Sequence, residues 1–316
     1  MLEIKAFKQD FIDRATKLFV ASYRRERTRS PLLPERSNIV DEVSSALSKI
    51  VKNPGVAAFQ RKTLVGYMLE TNTAGNFMSK RTAFSIGLYS HCSVEEEKER
   101  IYQKMYEKLS GTWVRNGYLT HEFSVFAQDD VLSFAFYRLG FGMTHFQLLR
   151  DLTPIEGQCA DVPIKKLDSE SAIRKLQEEH HYYYPTPPLF WIPHNEYNEN
   201  DENGILSGDI DVYAAFDGDE AIAYFSVKKG SAEAWLLDDE KNGRITGAYA
   251  KQEYRNKGIG KALLREVVKW AQDNDLARLY VEGESANIYG GNFWMRYFTP
   301  VVFSVRRCID ERISIE

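Results

Sequence analysis

The second half of the chain spells out its elements through the spacing of apolar and polar positions. "PIKKL", beginning at Pro163, reads as a short strand, and "DSESAIRKLQEEHH" as a helix N-capped by Asp168 or Ser169. A polar, aromatic loop follows. "DVYAAFDGDEAIAYFSVKKG" is two strands around an Asp-Gly turn, a strong short-range hairpin pattern. "GRITGAYA" adds a strand. In "GKALLREVVKWAQDN", Leu263, Leu264, Val267, Val268, Trp270 and Ala271 fall on one face of a helix. "ARLYVEG" is a strand, "GGNFWMRYF" a short helix and "PVVFSVRRCI" a final strand. This order predicts an α/β (α+β) architecture, a mixed sheet with helices packed on it.

The first half repeats the pattern. "VAAFQRKTLVGYMLE" from Val56 matches "YAAFDGDEAIAYFSV" from Tyr213 at an offset of 157 residues. Under it Ala57, Ala58, Phe59 and Tyr67 meet Ala214, Ala215, Phe216 and Tyr224, with Val65 facing Ile222. Trp113 meets Trp270 at the same offset. One residue of slippage then pairs Asn116 with Asn274 and Arg138 with Arg296. A constant offset over such a length indicates two copies of one module. The copies are expected over 1–152 and 163–316, joined by a linker over 153–162 within the proline- and glycine-containing "DLTPIEGQCADVP".

Composition narrows the class. With 316 residues, 43% of them hydrophobic and 13% aromatic, the chain reads as globular protein. A net charge of −4 argues against nucleic acid as a partner, which would call for a basic face. No apolar run reaches the roughly 18 residues of a membrane span, so a membrane is not expected either. "MLEIKAFKQDFIDRATKLF" lacks the apolar core of a signal peptide. Cys92, Cys159 and Cys308 are odd in number, far apart and without CxxC spacing, which suits a reducing compartment. A cytoplasmic location is the expectation.

The candidate chemistry lies in "EYRNKGIGKALLREVVKW". A dinucleotide fingerprint needs a third glycine where Leu263 stands, and a P-loop needs a glycine at Arg255 and a hydroxyl at Ala262. What remains is Arg-x-x-Gly-x-Gly between a strand and an amphipathic helix. Gly258 and Gly260 allow close backbone approach, and the unpaired amides of a helix start face an anion. Arg255, Lys257 and Lys261 add positive charge.

"ITGAYAKQEYRNKGIGKALLREVVKWA", continued by "ARLYVEGESAN" and "FWMRYF", resembles the GCN5-related N-acetyltransferase (GNAT) family. The resemblance implies that Arg255, Asn256, Lys257, Gly258, Ile259, Gly260 and Lys261 cradle the pyrophosphate of coenzyme A. It further implies that the backbone of Ala248, Tyr249 and Ala250 holds the pantetheine arm, and that Asn287 touches the same cofactor. Each copy is then an acyl-CoA N-acyltransferase module, a mixed and mostly antiparallel sheet flanked by helices. In the first copy the same offset places Lys98, Ile101 and Gln103 where the arginine and the two glycines would be. Glu95, Glu96, Glu97 and Glu99 crowd the phosphate position and repel it. The first copy therefore reads as degenerate, although "FAFYRLGFGM" still resembles the family's closing segment.

Acyl transfer to an amine needs a base, an oxyanion donor and a proton for the leaving thiolate. The family often places a tyrosine on the last helix as the thiolate acid, but Trp294 stands at that position. Tyr297, three residues on, is the candidate acid, with Tyr289 off that face. Glu282 and Glu284 share a strand face at the end of "YVEGE", and Glu284 is the candidate base. Tyr182, Tyr183, Tyr184, Phe190 and Trp191 supply an apolar wall for an acceptor, and Glu196, Glu199, Asp201 and Glu202 attract a cationic amine. His180, His181 and His194 lack metal-ligand spacing, so no metal is expected.

The expected function is transfer of an acetyl group from acetyl-CoA to an amine, most simply a small molecule, by direct attack in a ternary complex. The cofactor would be bound by the second copy alone. Two alternatives stay open: a CoA-binding regulatory or interaction protein without catalysis, motivated by Trp294, and a tandem enzyme similar to mycothiol synthase, which acetylates a sugar amine.

Overall fold

β1 (Leu2–Ala6), β2 (Gly55–Gln60), β3 (Thr63–Leu69) and β6 (His91–Ser93) form one antiparallel sheet near the start of the chain. The structure, a computed structural model, describes residues 1–77, 80–192, 209–230 and 236–313. Its chain divides into two units, residues 1–147 with 300–316, and residues 148–299. The first unit also holds α1 (Ile12–Arg29), α2 (Ile39–Ile50), β4 (Asn72–Phe77), β5 (Lys80–Ser85), α3 (Lys98–Arg115), β7 (Thr120–Phe126) and α4 (Asp130–Arg138). β8 (Gly142–Asp151) belongs to this unit as far as Gln147. β14 (Thr299–Cys308) belongs to this unit from Pro300 onward. It runs antiparallel to β7, from Val302 facing Phe126 to Cys308 facing Thr120, and β7 runs parallel to β5. Alternation explains the packing: Phe123, Val125 and Val305 join Ile101, Met105, Leu109 and Trp113 of α3 in one apolar core. Across the pair, Arg306 Nε donates to Glu122 Oε2 at 2.7 Å; burial pushes the Glu122 carboxyl up and Arg306 opposes it.

The second unit contains β9 (Ile164–Leu167), α5 (Arg174–Tyr183), β10 (Ile210–Asp217), β11 (Glu220–Lys229), β12 (Asn242–Ala250), α6 (Ile259–Asp273), β13 (Arg278–Glu284) and α7 (Ile288–Tyr297). Its strands lie in the order β13-β12-β11-β10-β9. Only the β12–β13 pairing among these is parallel. The predicted apolar face of α6 is buried from Leu263 to Ala271. The predicted cap of α5 is corrected: a 3-10 turn over Glu170–Ala172 intervenes, and the helix starts after Ile173, whose side chain is fully buried. Asp168 and Ser169 therefore lie before the turn rather than at the helix end. No helix among the described residues is long and apolar enough to cross a membrane.

The repeat is visible in local geometry. β2–β3 bulges between Ala58 and Phe59, and β10–β11 bulges between Ala215 and Phe216, the matching residues. The second hairpin turns through Gly218 at φ +59°; the first turns through Arg61 and Lys62, both left-handed without glycine. Each long helix anchors a tryptophan to a carboxylate: Trp113 Nε1 donates to Glu70, and Trp270 Nε1 to Asp211, both at 2.7 Å. Glu70 is buried, and burial raises its pKa while Trp113 opposes the rise. Trp113→Phe strands that carboxylate and should cost about 1–3 kcal/mol in urea unfolding. Trp270→Phe should cost less, because Asp211 also pairs with Lys166 at 2.7 Å.

Candidate active site

β12 and β13 pair in parallel from Asn242–Arg278 to Arg244–Tyr280, and their register ends there. β12 continues to Ala250 along β11, so the two parallel strands have parted before Ala248, Tyr249 and Ala250. A bulge between Ser226 and Val227 on the β11 side accompanies the change. That parting leaves one edge of the 248–250 backbone turned away from β13.

The chain then makes a 3-10 turn over Gln252–Tyr254 and enters the glycine loop. Asn256 at φ +61° and Gly258 at φ +82° are both left-handed. Gly258 is the N-cap of α6 and gives no side-chain cap, and the first intrahelical bond runs from Ala262 N–H to Gly258 O at 3.0 Å. The amides of Ile259, Gly260 and Lys261 precede that bond and keep the anion-attracting character of a helix start. Space at the glycines is tight: a Cβ on Gly258 would lie 3.0 Å from Ala160 N, and one on Gly260 would lie 3.1 Å from the Phe293 ring.

The cations of the loop do not behave alike. Lys257 is exposed, with its ammonium 5.3 Å from the Tyr254 ring. Lys261 Nζ instead donates to Gln158 O at 3.2 Å, and Arg265 Nε to Ile155 O at 2.9 Å, so two α6 cations grip the backbone of Ile155 and Gln158. Arg255 Nε donates to Ala250 O at 3.0 Å. Its guanidinium carbon lies 5.2 Å from the ring of Tyr183, 5.5 Å from Tyr249 and 5.0 Å from Tyr289. Each such contact contributes about 0.5–2 kcal/mol. Asn287 caps α7, its Oδ1 accepting from Gly290 N–H at 3.1 Å and from the Tyr183 hydroxyl at 3.3 Å.

The two strand-end glutamates differ in environment. Glu282 pairs with Arg244 and accepts from the Tyr280 hydroxyl at 2.6 Å. Among the described residues no cation pairs with Glu284; burial pushes its carboxyl above the usual range, and the Glu282 charge adds to the shift. Tyr184 feels Glu284 in turn: burial raises its phenol first, then Glu284 and Tyr183. Tyr297 packs on Phe293 at 5.0 Å between centroids, one helical turn from the ring that covers Gly260. Trp294 is buried against Phe225 at 5.3 Å and Phe298 at 5.5 Å and presents no hydroxyl. Tyr289 faces Arg255 rather than this cluster.

The aromatic wall is brought together in part. Tyr184 and Trp191 meet edge to face at 5.3 Å, and Trp191 N–H donates to Tyr184 O at 3.0 Å. Tyr183 joins through Arg255, whereas Tyr182 and Phe190 are exposed. His180 stacks on Tyr249 at 5.4 Å and meets the Tyr224 hydroxyl at 3.4 Å; burial, helped by Arg255, lowers its pKa to about 4. His194, Glu196, Glu199, Asp201 and Glu202 lie outside the described residues.

Residues 171–298 match the model of the acetyltransferase (GNAT) family. This part of the chain is a GNAT domain. Streptothricin acetyltransferase A of Bacillus subtilis (strain 168) is 28% identical over 93 residues, which span 26% of this chain and 54% of that protein. The chain thus spans about half the length of this curated relative. A GCN5-related N-acetyltransferase structure from Sphaerobacter thermophilus matches 100% of this chain and 97% of its own at a TM-score of 0.56 and 11% identity. The fungal glucosamine N-acetyltransferase region of a multi-domain GH3 β-N-acetylglucosaminidase matches 97% of this chain and 38% of its own, with TM-score 0.51 and 13% identity. The whole chain therefore has an acyl-CoA N-acyltransferase fold, mixed sheets flanked by helices.

Against the GNAT domain, the first unit shows how the corresponding places are filled. The left-handed N-cap before α3 is Glu97 at φ +55°, so the fixed offset misplaces the loop. Ile101 and Gln103 lie inside α3, and Ile101 packs against Gly66 in the core. Asp129 caps α4 as Asn287 caps α7, accepting from Leu132 N–H at 3.0 Å, but Lys98 Nζ holds its other oxygen at 2.6 Å. Between β6 and β7, His91 Nε2 bonds Ser124 O and Nδ1 bonds the Tyr102 hydroxyl, each at 2.9 Å. Burial lowers His91 to about 4. Sequence reasoning missed the Arg255 cluster of the GNAT domain, because tyrosines at 183, 249 and 289 are not spaced to announce a common partner.

Proposed function

We propose that the chain is an acyl-CoA-dependent N-acetyltransferase that binds acetyl-CoA in its second unit alone and transfers the acetyl group to an amine within a ternary complex. The observation that carries this is the parting of β12 from β13 beside a side-chain-free, left-handed glycine N-cap. The residues fit the cofactor: a cradle that a Cβ would fill at Gly258 and Gly260, backbone amides of Ile259 to Lys261, and the open edge of Ala248 to Ala250. Asn256, Lys257 and Asn287 frame that cradle. Acetyl-CoA supplies the acyl group as a thioester. In the first unit the Lys98–Asp129 ion pair and the His91–Ser124 bond fill the matching places, which supports a single cofactor site.

Glu284 accepts the proton that the acceptor ammonium loses, and its raised pKa makes it a stronger base than an ordinary carboxylate. Tyr297 returns a proton to the leaving thiolate. Because Glu284 must be ionised, kcat/KM should rise with pH through its raised pKa. Glu284→Gln should flatten that limb and lower kcat about 10²–10⁴-fold. Tyr297→Phe should lower kcat without moving the limb. The deciding experiment follows CoA release from acetyl-CoA across a panel of amines that includes streptothricin, in view of the relative's name. Acceleration by an amine supports the enzyme; tight acetyl-CoA binding with no responsive amine would leave the second reading, a CoA-binding regulatory protein. Trp294 at the place of the family's tyrosine is the observation that favours it.

A further inference from the structure

Arg255 stands in the arginine position of the phosphate loop, yet its guanidinium lies among three tyrosine rings at 5.0–5.5 Å. The rings come from three elements: Tyr183 from α5, Tyr249 from β12 and Tyr289 from α7. Its Nε is spent on Ala250 O, at the end of the strand that leads into the loop. Among the described residues it forms no ion pair, so no carboxylate draws it away from the rings. α5 has a second attachment to the same strand, His180 stacked on Tyr249. α7 has one to α5, the Tyr183 hydroxyl on Asn287 Oδ1. The guanidinium is thus where the loop, the strand carrying 248–250 and the aromatic helix α5 meet.

We propose that Arg255 is a positioning residue, not a pyrophosphate ligand. Its planar cation ties α5 and α7 to β12, so that occupation of the glycine loop is transmitted to the acceptor-side helix. The proposal rests on the second unit's being the CoA site. A planar guanidinium offers two faces and an in-plane donor, whereas a lysine ammonium at the same place is a point charge that cannot stack on several rings at once. A glutamine keeps a planar donor without charge. The two roles therefore separate. A phosphate ligand tolerates Lys and not Gln. A stacked tie loses its coupling with both, while the backbone cradle goes on holding the anion.

The test measures CoA affinity by calorimetry and amide hydrogen exchange over Arg174–Tyr183, with and without saturating CoA, in the wild type, Arg255→Lys and Arg255→Gln. CoA should slow exchange in α5 of the wild type about fivefold or more. Both variants should bind CoA within about threefold of the wild type and lose that protection. Weakening of about tenfold or more in Arg255→Gln, with Arg255→Lys unchanged in affinity and protection, would overturn the proposal. Tyr289→Leu, at a half-exposed ring, keeps Arg255 and guards against misfolding of the arginine variants. It should reduce protection of α5 at unchanged affinity, and full protection would count against the tie. If the wild type binds no CoA, the cofactor reading fails. The tie is then judged on free protein, where Arg255→Lys should speed α5 exchange and equal rates would refute it.

Discussion

Gly258→Glu is expected to weaken CoA binding by about a hundredfold or more in calorimetry if the proposed site holds the cofactor. Three effects act together. The residue sits at φ +82°, where a Cβ costs about 1–2 kcal/mol. Its Cβ would meet Ala160 N at 3.0 Å, backbone that cannot rotate away. A carboxylate would then stand at the start of α6, where the proposed site would hold the pyrophosphate. The control is a charge change at the first unit's own left-handed cap, Glu97→Lys, which should leave affinity within about threefold. Equal losses from the two changes would defeat the single-site reading. Ile101 cannot serve as that control, because it is 2% exposed and a charge there would break the core.

Lys98→Ala is expected to destabilise the protein by about 3–5 kcal/mol in urea denaturation. Lys98 is 3% exposed and holds Asp129 at 2.6 Å and Glu95 at 2.9 Å. Burial alone would lower its pKa, but Asp129 and Glu95 outweigh burial and hold it above its ordinary value. A raised lysine stabilises at every pH below its unfolded value and loses that only as pH passes the folded one. The pair is therefore intact at neutrality, and removing the cation leaves Asp129 buried and uncompensated. Glu26, 1% exposed nearby with burial raising its pKa, would then lose Lys98 as well as keep Arg29. A loss below about 1 kcal/mol would show the network to be solvated in solution.

What was legible in the sequence was local. The Asp-Gly hairpin and the apolar face from Leu263 to Ala271 each depend on a few neighbouring residues, and each formed where expected. The repeat was legible through Ala57–Phe59 and Ala214–Phe216 because a bulge at that point constrains both copies alike. The offset failed at the loop because α3 begins before the position that would match α6, and helix starts are set by caps rather than by periodicity. Arg255 was identified as a loop residue, but its three rings converge only through packing of α5, β12 and α7. The distinction between Glu282 and Glu284 was equally hidden, since Arg244 reaches one and not the other across the paired part of β12 and β13.

The placement of β14 bears on how the chain can be made. Its residues from Pro300 onward lie against β7 within the first unit, yet they are synthesised after all of the second. During translation the first unit waits with the β7 edge exposed, the kind of unpaired strand that invites wrong partners. A cut within residues 153–162 would separate β14 from β7 and leave that edge of the first unit unpaired. The strand that pairs with the β7 edge of the first unit is thus made only after every residue of the second.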